Sequence, residues 1–285
     1  MSVLKSASVL KPLVLFHGWG AKPAIWQPLV EVLQQKCPEL DIITPAWPGY
    51  DQTEPLEQPA NLTELAEVML PKLPKDAHWL GWSLGGNLAL YLAEYIQGQL
   101  DQQKGQEKSA DQNNLLNQGK QKAQLILLGC NASFAQRDHW SYALSAEVLE
   151  QFCQGFDQAP EKTLKRFHSL QMQGEPDLRT CKRAFSGLMA MNNSDNSLPA
   201  DHATLAAGLA WLGELDQRSV SSAISERMHW LLGENDPLVP VQVAEQLSGQ
   251  TCVLSDCGHL PMLTATEQLA EQILRIIGQD SDVVQ

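Results

Sequence analysis

The sequence predicts an α/β fold with a mostly parallel central sheet, helices on both faces and an inserted helical lid. Short apolar runs predict strands at 13–16, 41–44, 78–82, 124–129, 228–233 and 252–255. The segments between them have helical apolar spacing, as at 29–33 and 62–70, and strands joined by helices form parallel sheets. Between 134 and 215 no strand pattern occurs, and four helices are predicted at 146–156, 161–171, 178–191 and 202–212. We therefore expect a core from 1–133 and 216–285, with residues 134–215 as the lid.

Length and composition agree with a single large domain that carries such a lid. The chain has 285 residues, of which 44% are hydrophobic. No apolar run approaches the ~20 residues of a membrane span, and Leu13–Phe16 is too short for the core of a signal peptide. We therefore expect a cytoplasmic protein that does not associate with a membrane. The six cysteines show no metal-like spacing and are expected to be reduced. The formal net charge of −13 argues against nucleic acid as a partner.

The turn after the third strand carries the strongest chemical signal. There, Gly81-Trp82-Ser83-Leu84-Gly85 joins an apolar strand to a helical segment. A serine on such a strained strand-to-helix turn holds its hydroxyl above the sheet edge, with glycines on either side where the neighbouring strand and helix come close. The pattern predicts that Ser83 is a nucleophile, and the alternative is an ordinary turn.

A nucleophilic serine needs a base and an acid that orients the base, and these follow in the order Ser, Asp, His in this architecture. Asp236 lies in the loop after the strand at 228–233, and His259 lies in the loop after the strand at 252–255. Glu234 and Asp256 compete with Asp236 for the role of the acid. The spacing from the strand disfavours Glu234, and Asp256 is too close in sequence to His259 to orient it from the opposite side.

Other histidines are assigned to different roles. His17 is expected to be a structural hydrogen bonder in its turn, and His78 and His229 are expected to be structural within strands. For three histidines of the lid we expect solvated or lightly packed positions: His139, His168 and His202.

The turn after the first strand predicts an oxyanion hole. His17-Gly18-Trp19-Gly20 follows this strand, and such a His-Gly turn commonly supplies one oxyanion-binding amide. We expect the amide of Trp19 to be that donor and the amide of Leu84, the residue after the nucleophile, to be the second. The side chain of Trp19 fits either core packing or the floor of a pocket.

These motifs identify the chain as similar to α/β-hydrolases, and two lid segments narrow the resemblance. The segments at 15–20, 79–86 and 236–240 resemble those of many such enzymes. The lid segments Gln136-Arg137-Asp138-His139-Trp140 and, at 166–174, Arg-Phe-x-x-Leu-Gln-x-x-Gly resemble the pimeloyl-ACP methyl ester esterase family of biotin synthesis. The resemblance runs from about Leu13 to about Ile277.

The resemblance implies a substrate and a partner. The family hydrolyses the methyl ester of an acyl chain carried by acyl-carrier protein, without a metal or an organic cofactor. By position, Lys162, Arg166, Arg179 and Arg183 match the basic lid residues that receive this acidic carrier. Between 161 and 183 there are six basic residues against three acidic ones. The alternative is a solvated helix face with intrahelical ion pairs.

The acyl channel is expected to be lined by four residues, Trp19, Leu84, Phe167 and Leu238. Two other functions stay open: a general short-chain carboxylesterase or thioesterase, and a ligand-binding relative without catalysis. We expect a monomer.

Two departures from the family pattern lie outside the site. Twelve residues precede Leu13, so the strands that usually come before it are expected to be short or missing. The polar residues at about 98–123 are expected to form a surface loop with no catalytic role.

Overall fold

The computed structural model describes residues 10–106, 122–190 and 198–278 of the chain. Its centre is a six-stranded sheet in the order β2-β1-β3-β4-β5-β6, and every neighbouring pair is parallel. The strands are β1 Leu13–Phe16, β2 Ile42–Ile43, β3 His78–Trp82, β4 Leu125–Leu128, β5 Met228–Gly233 and β6 Gln250–Leu254. The α/β prediction is thereby confirmed, with small differences in the bounds of β2, β4 and β6.

Helices cover both faces of this sheet. They are α1 Gln27–Lys36, α2 Leu62–Met69, α3 Leu84–Gln106, α4 Ala146–Gln158, α5 Pro160–Gln171, α6 Leu178–Ala190, α7 His202–Glu214, α8 Ser222–Ser225, α9 Pro261–Thr264 and α10 Thr266–Gly278. Short 3₁₀ helices occupy Pro23–Trp26, Leu70–Lys72 and Val241–Gln246. None of the described helices is both long and apolar enough to span a membrane.

Alternate strand residues divide the core into two layers. Phe16, Leu127 and Trp230 belong to one layer, and Leu15, Leu128 and Leu231 belong to the other. Successive side chains of a strand point to opposite faces, so a sheet buried on both faces consists of nearly continuous apolar runs. This explains why the fully buried strands β1, β3, β4 and β5 are predicted by short apolar runs in the sequence.

The four predicted lid helices are present as α4 to α7, between β4 and β5. Arg137, from the first lid motif, donates from Nη2 to the carbonyl oxygens of Gly213 and Glu214 at the end of α7, at 2.9 and 3.1 Å. Trp140 Nε1 donates to Asn131 Oδ1 at 2.9 Å. The Arg-Asp-x-Trp motif therefore fastens the start of the lid to its last helix and to the end of β4.

One prediction is corrected, and others fall on residues outside the description. Residues 98–106 were expected to be loop but continue helix α3. The polar side chains there form helix-compatible contacts, such as Gln97 Nε2 to Asp101 Oδ1 at 2.9 Å, one turn apart. The rest of the expected loop up to residue 121 lies outside the described residues. Residues 1–9 do too, so short or missing strands before Leu13 stay a prediction.

Candidate active site

The strand order places the candidate site. The chain runs from β1 outward to β2 and then returns to β3 on the other side of β1, so the sheet has its topological switch point between β1 and β3. Ligands of open parallel sheets bind at the carboxyl ends of the strands at such a point. His17 directly follows β1 and Ser83 directly follows β3, so both lie at this position.

Ser83 adopts the strained backbone predicted for it. Its φ is +56°, in the left-handed region that a side chain disfavours. The glycines around it leave no room for a side chain: a Cβ on Gly85 would lie 2.3 Å from the carbonyl oxygen of His17, and one on Gly81 would lie 2.4 Å from that of Gly85. The serine therefore sits on a turn pressed directly against the loop after β1.

Asp236 and His259 form a buried pair. The distance from His259 Nδ1 to Asp236 Oδ2 is 2.7 Å, and neither side chain is exposed. The other carboxylate oxygen, Oδ1, accepts hydrogen bonds from the backbone amides of Leu238 at 2.8 Å and Val239 at 3.1 Å. Buried carboxylates are stable only when hydrogen-bonded in this way, and these contacts fix the orientation of Asp236.

The second ring nitrogen of His259 is left free for chemistry. Nε2 is buried and has no hydrogen-bond partner among the described residues, so Ser83 does not bond to it in this structure. Catalytic hydrogen bonds are often long before substrate binds. Because Nδ1 contacts a carboxylate, the proton belongs on Nδ1, and Nε2 carries the lone pair that a general base uses.

Three contacts bring His259 and the nucleophile turn together. Trp82 Nε1, beside Ser83, donates to the carbonyl oxygen of His259 at 2.8 Å. The amide of Ser83 donates to the carbonyl oxygen of Leu128 at 2.9 Å. At the next residue, Gly129, a Cβ would lie 3.2 Å from His259 Nδ1. The ends of β3, β4 and β6 thus converge on one point.

The competing acids, Glu234 and Asp256, do not hydrogen-bond the ring of His259. Glu234 Oε2 accepts from the backbone amide of Asp256 at 3.1 Å, and both residues are exposed. Asp256 has a φ of +51°, as expected of a turn residue. Among the described residues, Asp236 alone hydrogen-bonds the ring of His259.

The loop after β1, residues 17–20, lies where the sequence predicts the oxyanion hole and is called the oxyanion loop below. A Cβ on Gly18 would lie 3.1 Å from that of Ser83, so the loop is in contact with the nucleophile. Within the described part of the chain, the backbone amides of Trp19 and Leu84 donate to no protein acceptor. Both residues are buried. Two unpaired amides beside a serine are what a developing oxyanion requires.

His17 holds this loop in its shape, as expected. Its Nδ1 donates to the carbonyl oxygen of Gly18 at 3.0 Å, and Nε2 accepts from the amide of Trp47 at 3.4 Å. Burial lowers the pKa of His17 to about 4, because the charged form loses its hydration. The ring is therefore neutral at neutral pH.

His168 does not match its expected solvated or lightly packed role. It lies on α5, and its Nε2 is 2.9 Å from the carbonyl oxygen of Gly20. Burial lowers its pKa to about 4. The neutral ring donates this bond and so joins the lid to the oxyanion loop. No local sequence pattern predicts this contact, because 148 positions separate the two residues.

An apolar cavity adjoins the oxyanion loop. It lies between the core and α7, and its lining residues come from the loops after β1 and β2 and from α2, α3 and α7: His17, Gly18, Trp19, Trp47, Pro48, Tyr50, Leu56, Gln58, Ala60, Leu65, Leu84, Leu88, Thr204, Ala207, Gly208 and Trp211. Three of these residues, Trp47, Pro48 and Tyr50, belong to the loop after β2.

Two of the four residues expected in the acyl channel line this cavity. Trp19 and Leu84 do, whereas Phe167 and Leu238 do not. Phe167 packs edge-on against Trp19, with ring centroids 4.9 Å apart, so it supports the cavity wall from behind. Leu238 is buried in the loop of Asp236. Trp19 also donates from Nε1 to the carbonyl oxygen of Leu205 at 2.8 Å, so its side chain serves both packing and the cavity.

The four predicted docking residues are exposed on α5 and α6. Among the described residues, none of them has an ion-pair partner, whereas their neighbour Lys165 pairs with Glu161 at 3.9 Å. Arg166 also lies over the ring of Phe152, 5.4 Å from its centroid. Lys162, Arg166, Arg179 and Arg183 therefore present exposed positive charge. Hydrogen bonds from Thr180 and, to a smaller extent, charge attraction by Arg183 lower the pKa of Asp177.

One buried polar side chain of the lid, Gln171, was not singled out from the sequence. Gln171, at the end of α5, is fully buried, and neither its Oε1 nor its Nε2 has a hydrogen-bond partner among the described residues. Along the chain it lies between His168, which hydrogen-bonds the oxyanion loop, and Gln173, whose carbonyl oxygen lies against Gly258. Unpaired buried amides are costly, and Gln171 does not line the cavity beside Trp19, so the structure assigns it no contact with a ligand. The lid motif at 166–174 was its only signal.

Comparisons with known proteins agree with this geometry. The model of the alpha/beta hydrolase family matches residues 13–272. A pimeloyl-[acyl-carrier protein] methyl ester esterase of Aromatoleum aromaticum is 32% identical over 93% of this chain and 97% of its own. The biotin biosynthesis bifunctional protein BioHC of Saccharophagus degradans is 30% identical over 92% of this chain and 43% of its own. The structure of an esterase from Exiguobacterium antarcticum has a TM-score of 0.68 at 19% identity, over 94% and 91% of the two chains.

Proposed function

Because the chain belongs to the alpha/beta hydrolase family and, within it, to the pimeloyl-[acyl-carrier protein] methyl ester esterases, we infer that it is a serine carboxylesterase of biotin synthesis. It hydrolyses the methyl ester of pimeloyl-ACP to pimeloyl-ACP and methanol. The observation that carries the chemistry is the buried hydrogen bond from His259 to Asp236, next to a serine on a strained turn. The substrate is inferred from the relatives.

In the proposed mechanism, Ser83 Oγ attacks the ester carbonyl while His259 Nε2 takes its proton. Asp236 fixes the ring and stabilises the imidazolium that forms. The amides of Trp19 and Leu84 hold the oxyanion. The intermediate collapses with loss of methoxide, which leaves as methanol with the proton from His259. Water, activated by the same nitrogen, then cleaves the acyl-enzyme and releases the free carboxylate and Ser83.

The surroundings of the site fit an acyl chain on a carrier. An apolar cavity beside the oxyanion loop suits a methylene chain. The unpaired basic residues of α5 and α6 suit the acidic acyl-carrier protein, because complementary charge steers encounter. We propose Lys162, Arg166, Arg179 and Arg183 as this docking surface. The cytoplasmic location and the monomeric state expected from the sequence stay predictions.

The test is hydrolysis of pimeloyl-ACP methyl ester by the wild-type protein and by Ser83→Ala, with the free methyl ester of the same acyl chain as a second substrate. We expect a higher kcat/KM for the carrier-linked ester, and no turnover of either ester by folded Ser83→Ala. Turnover of free esters alone would instead indicate a general short-chain carboxylesterase or thioesterase. Retained turnover by folded Ser83→Ala would refute the serine mechanism.

A further inference from the structure

A buried carboxylate of the lid has no role in the proposed mechanism. Glu175 lies in the loop between α5 and α6 and is only 8% exposed. A carboxylate is seldom buried to this extent without partners that satisfy its oxygens. Its partners therefore show what the residue is for.

Both oxygens of Glu175 bind the segment that follows the base. Oε1 accepts a hydrogen bond from the backbone amide of Leu260 at 2.7 Å, and Oε2 accepts one from Thr264 Oγ1 at 2.5 Å. Leu260 directly follows His259, and Thr264 ends α9. The lid is thus bonded to the core immediately beside the imidazole.

These contacts complete the fixing of one peptide group. The carbonyl oxygen of His259 accepts from Trp82 Nε1 at 2.8 Å, and the amide of Leu260 donates to Glu175. These two atoms belong to the same peptide unit, which is planar. Trp82 of the core and Glu175 of the lid therefore hold the plane of the His259–Leu260 peptide from both sides. The backbone of His259, which sets the direction of its ring, has little freedom to rotate.

The backbone around Glu175 is packed against the same loops. A Cβ on Gly174, whose φ is +85°, would lie 1.9 Å from the carbonyl oxygen of Asn235, the residue before Asp236. A Cβ on Gly258, the residue before His259, would lie 2.9 Å from the carbonyl oxygen of Gln173. This corner of the lid therefore touches the loops of both the acid and the base.

We propose that Glu175 is a positioning residue, through which the lid fixes the His259–Leu260 peptide and thereby aims the imidazole at Ser83. The proposal rests on the proposed function in one respect, namely that His259 is the base. Catalytic groups must be held within a fraction of an ångström of their working geometry, and a displacement of about 1 Å can cost about 100-fold in rate. Residues 173–175 thus help to hold His259 in its working geometry.

The test compares Glu175→Ala with the conservative Glu175→Gln. Glutamine keeps an oxygen that can accept from Leu260, whereas alanine removes both contacts. Turnover of a p-nitrophenyl ester and of pimeloyl-ACP methyl ester is measured, and each rate is divided by the concentration of active sites titrated with a fluorophosphonate. We expect Glu175→Ala to lower kcat by up to about 100-fold on both esters with little change in KM, and Glu175→Gln to restore most of it.

A matched control is Glu234→Ala. Glu234 is an exposed carboxylate that accepts a hydrogen bond from the backbone amide of Asp256, three residues before His259. Its replacement by alanine should leave kcat unchanged. A folded Glu175→Ala protein with wild-type kcat per active site would overturn the proposal, as would a loss that Glu175→Gln does not restore. If Glu175→Ala does not fold, Glu175→Asp keeps the charge but falls short of Leu260. A folded Glu175→Asp protein with wild-type kcat would likewise overturn the proposal.

The two proposals can fail separately. Cleavage of the p-nitrophenyl ester but not of the carrier-linked ester would refute the proposed substrate and leave the Glu175 comparison intact. The rate at which the fluorophosphonate modifies Ser83 is measured in the same variants, and we expect it to fall with kcat in Glu175→Ala. An unchanged rate of modification would count against the positioning role whatever the natural ester is.

Discussion

At the residue scale, the most constrained charge of the candidate site is the carboxylate of Asp236. Three donors hold it: the amides of Leu238 and Val239 on Oδ1, and His259 Nδ1 on Oδ2. The two backbone bonds fix which oxygen faces the imidazole. The carboxylate therefore determines which nitrogen of His259 carries the proton, as the proposed mechanism requires.

This arrangement predicts a large effect of Asp236→Asn. The backbone amides would keep the oxygen of asparagine at the position of Oδ1, so its NH₂ group would face His259 Nδ1. The ring would then carry its proton on Nε2 and could not accept one from Ser83. We expect kcat for a p-nitrophenyl ester to fall by about 10⁴-fold, as when a serine hydrolase is forced into the wrong tautomer, while the fold is retained.

The matched control is Asp256→Asn. Asp256 is exposed and has a φ of +51°, a conformation that asparagine tolerates well. It should keep wild-type kcat and a wild-type melting temperature. Comparable activity in Asp236→Asn and Asp256→Asn would contradict the assignment of Asp236 as the orienting acid.

At the element scale, helix α3 combines a crowded start with an open outer turn. At Gly85 a Cβ would meet the carbonyl oxygens of His17 at 2.3 Å and Phe16 at 2.6 Å. At Gly98, farther along the same helix, a Cβ would meet nothing within 4 Å. The two glycines therefore differ: Gly85 allows the nucleophile turn to contact the end of β1, whereas no close contact requires a glycine at position 98.

The same substitution is accordingly predicted to have opposite signs at the two positions. Gly85→Ala must push the turn away from the oxyanion loop, and such overpacking costs about 1–3 kcal/mol. Gly98→Ala should stabilise the protein by up to about 1 kcal/mol, because alanine is the better helix former. Urea unfolding of both variants measures the two free energies of unfolding.

The esterase activity of the two variants is a second measurement that distinguishes them. We expect Gly85→Ala to lose esterase activity even where it is folded, and Gly98→Ala to keep it. An equal effect of the two substitutions on stability would show that the close approach of α3 to β1 is not as described.

At the scale of the whole molecule, charge is distributed unevenly. The chain has a formal net charge of −13, yet α5 and α6 carry exposed basic side chains, of which Lys165 alone has an ion-pair partner among the described residues. A local basic surface on an acidic protein attracts acidic partners. Mobile ions screen such an attraction over about 10 Å at 0.1 M salt.

This distribution predicts a separation of two activities when the docking charges are reversed. Lys162, Arg166, Arg179 and Arg183 changed together to glutamate should lower kcat/KM for pimeloyl-ACP methyl ester by at least about 10-fold, since encounter with the carrier is no longer steered. Turnover of a p-nitrophenyl ester should be unchanged. Added salt should lower the wild-type kcat/KM for the carrier-linked ester and reduce the difference between the two proteins.

The corresponding control reverses Lys72 and Lys75, exposed lysines between α2 and β3 that lie outside the lid. It changes the net charge of the molecule without touching α5 or α6. An equal loss of activity in both charge-reversed proteins would point to net charge as the cause and would contradict docking on the lid.

Features that depend on neighbouring residues could be predicted from the sequence. Apolar runs predicted every described strand of the sheet, and Gly-x-Ser-x-Gly between a strand and a helix predicted the strained turn at Ser83. Helical spacing predicted α4 to α7. Polarity misled at 98–106, because glutamine and lysine are good helix formers although they are polar.

Contacts between groups that are distant in sequence could be identified only in the folded chain. His259 contacts Asp236 across 23 positions, Glu175 contacts Leu260 across 85 and His168 contacts Gly20 across 148. No local pattern encodes such a pair, because each contact depends on how separately formed strands and helices pack and on which buried polar atoms are then left to pair with each other. For the same reason, the cavity beside Trp19 and the unpaired amide of Gln171 became visible only in the folded chain.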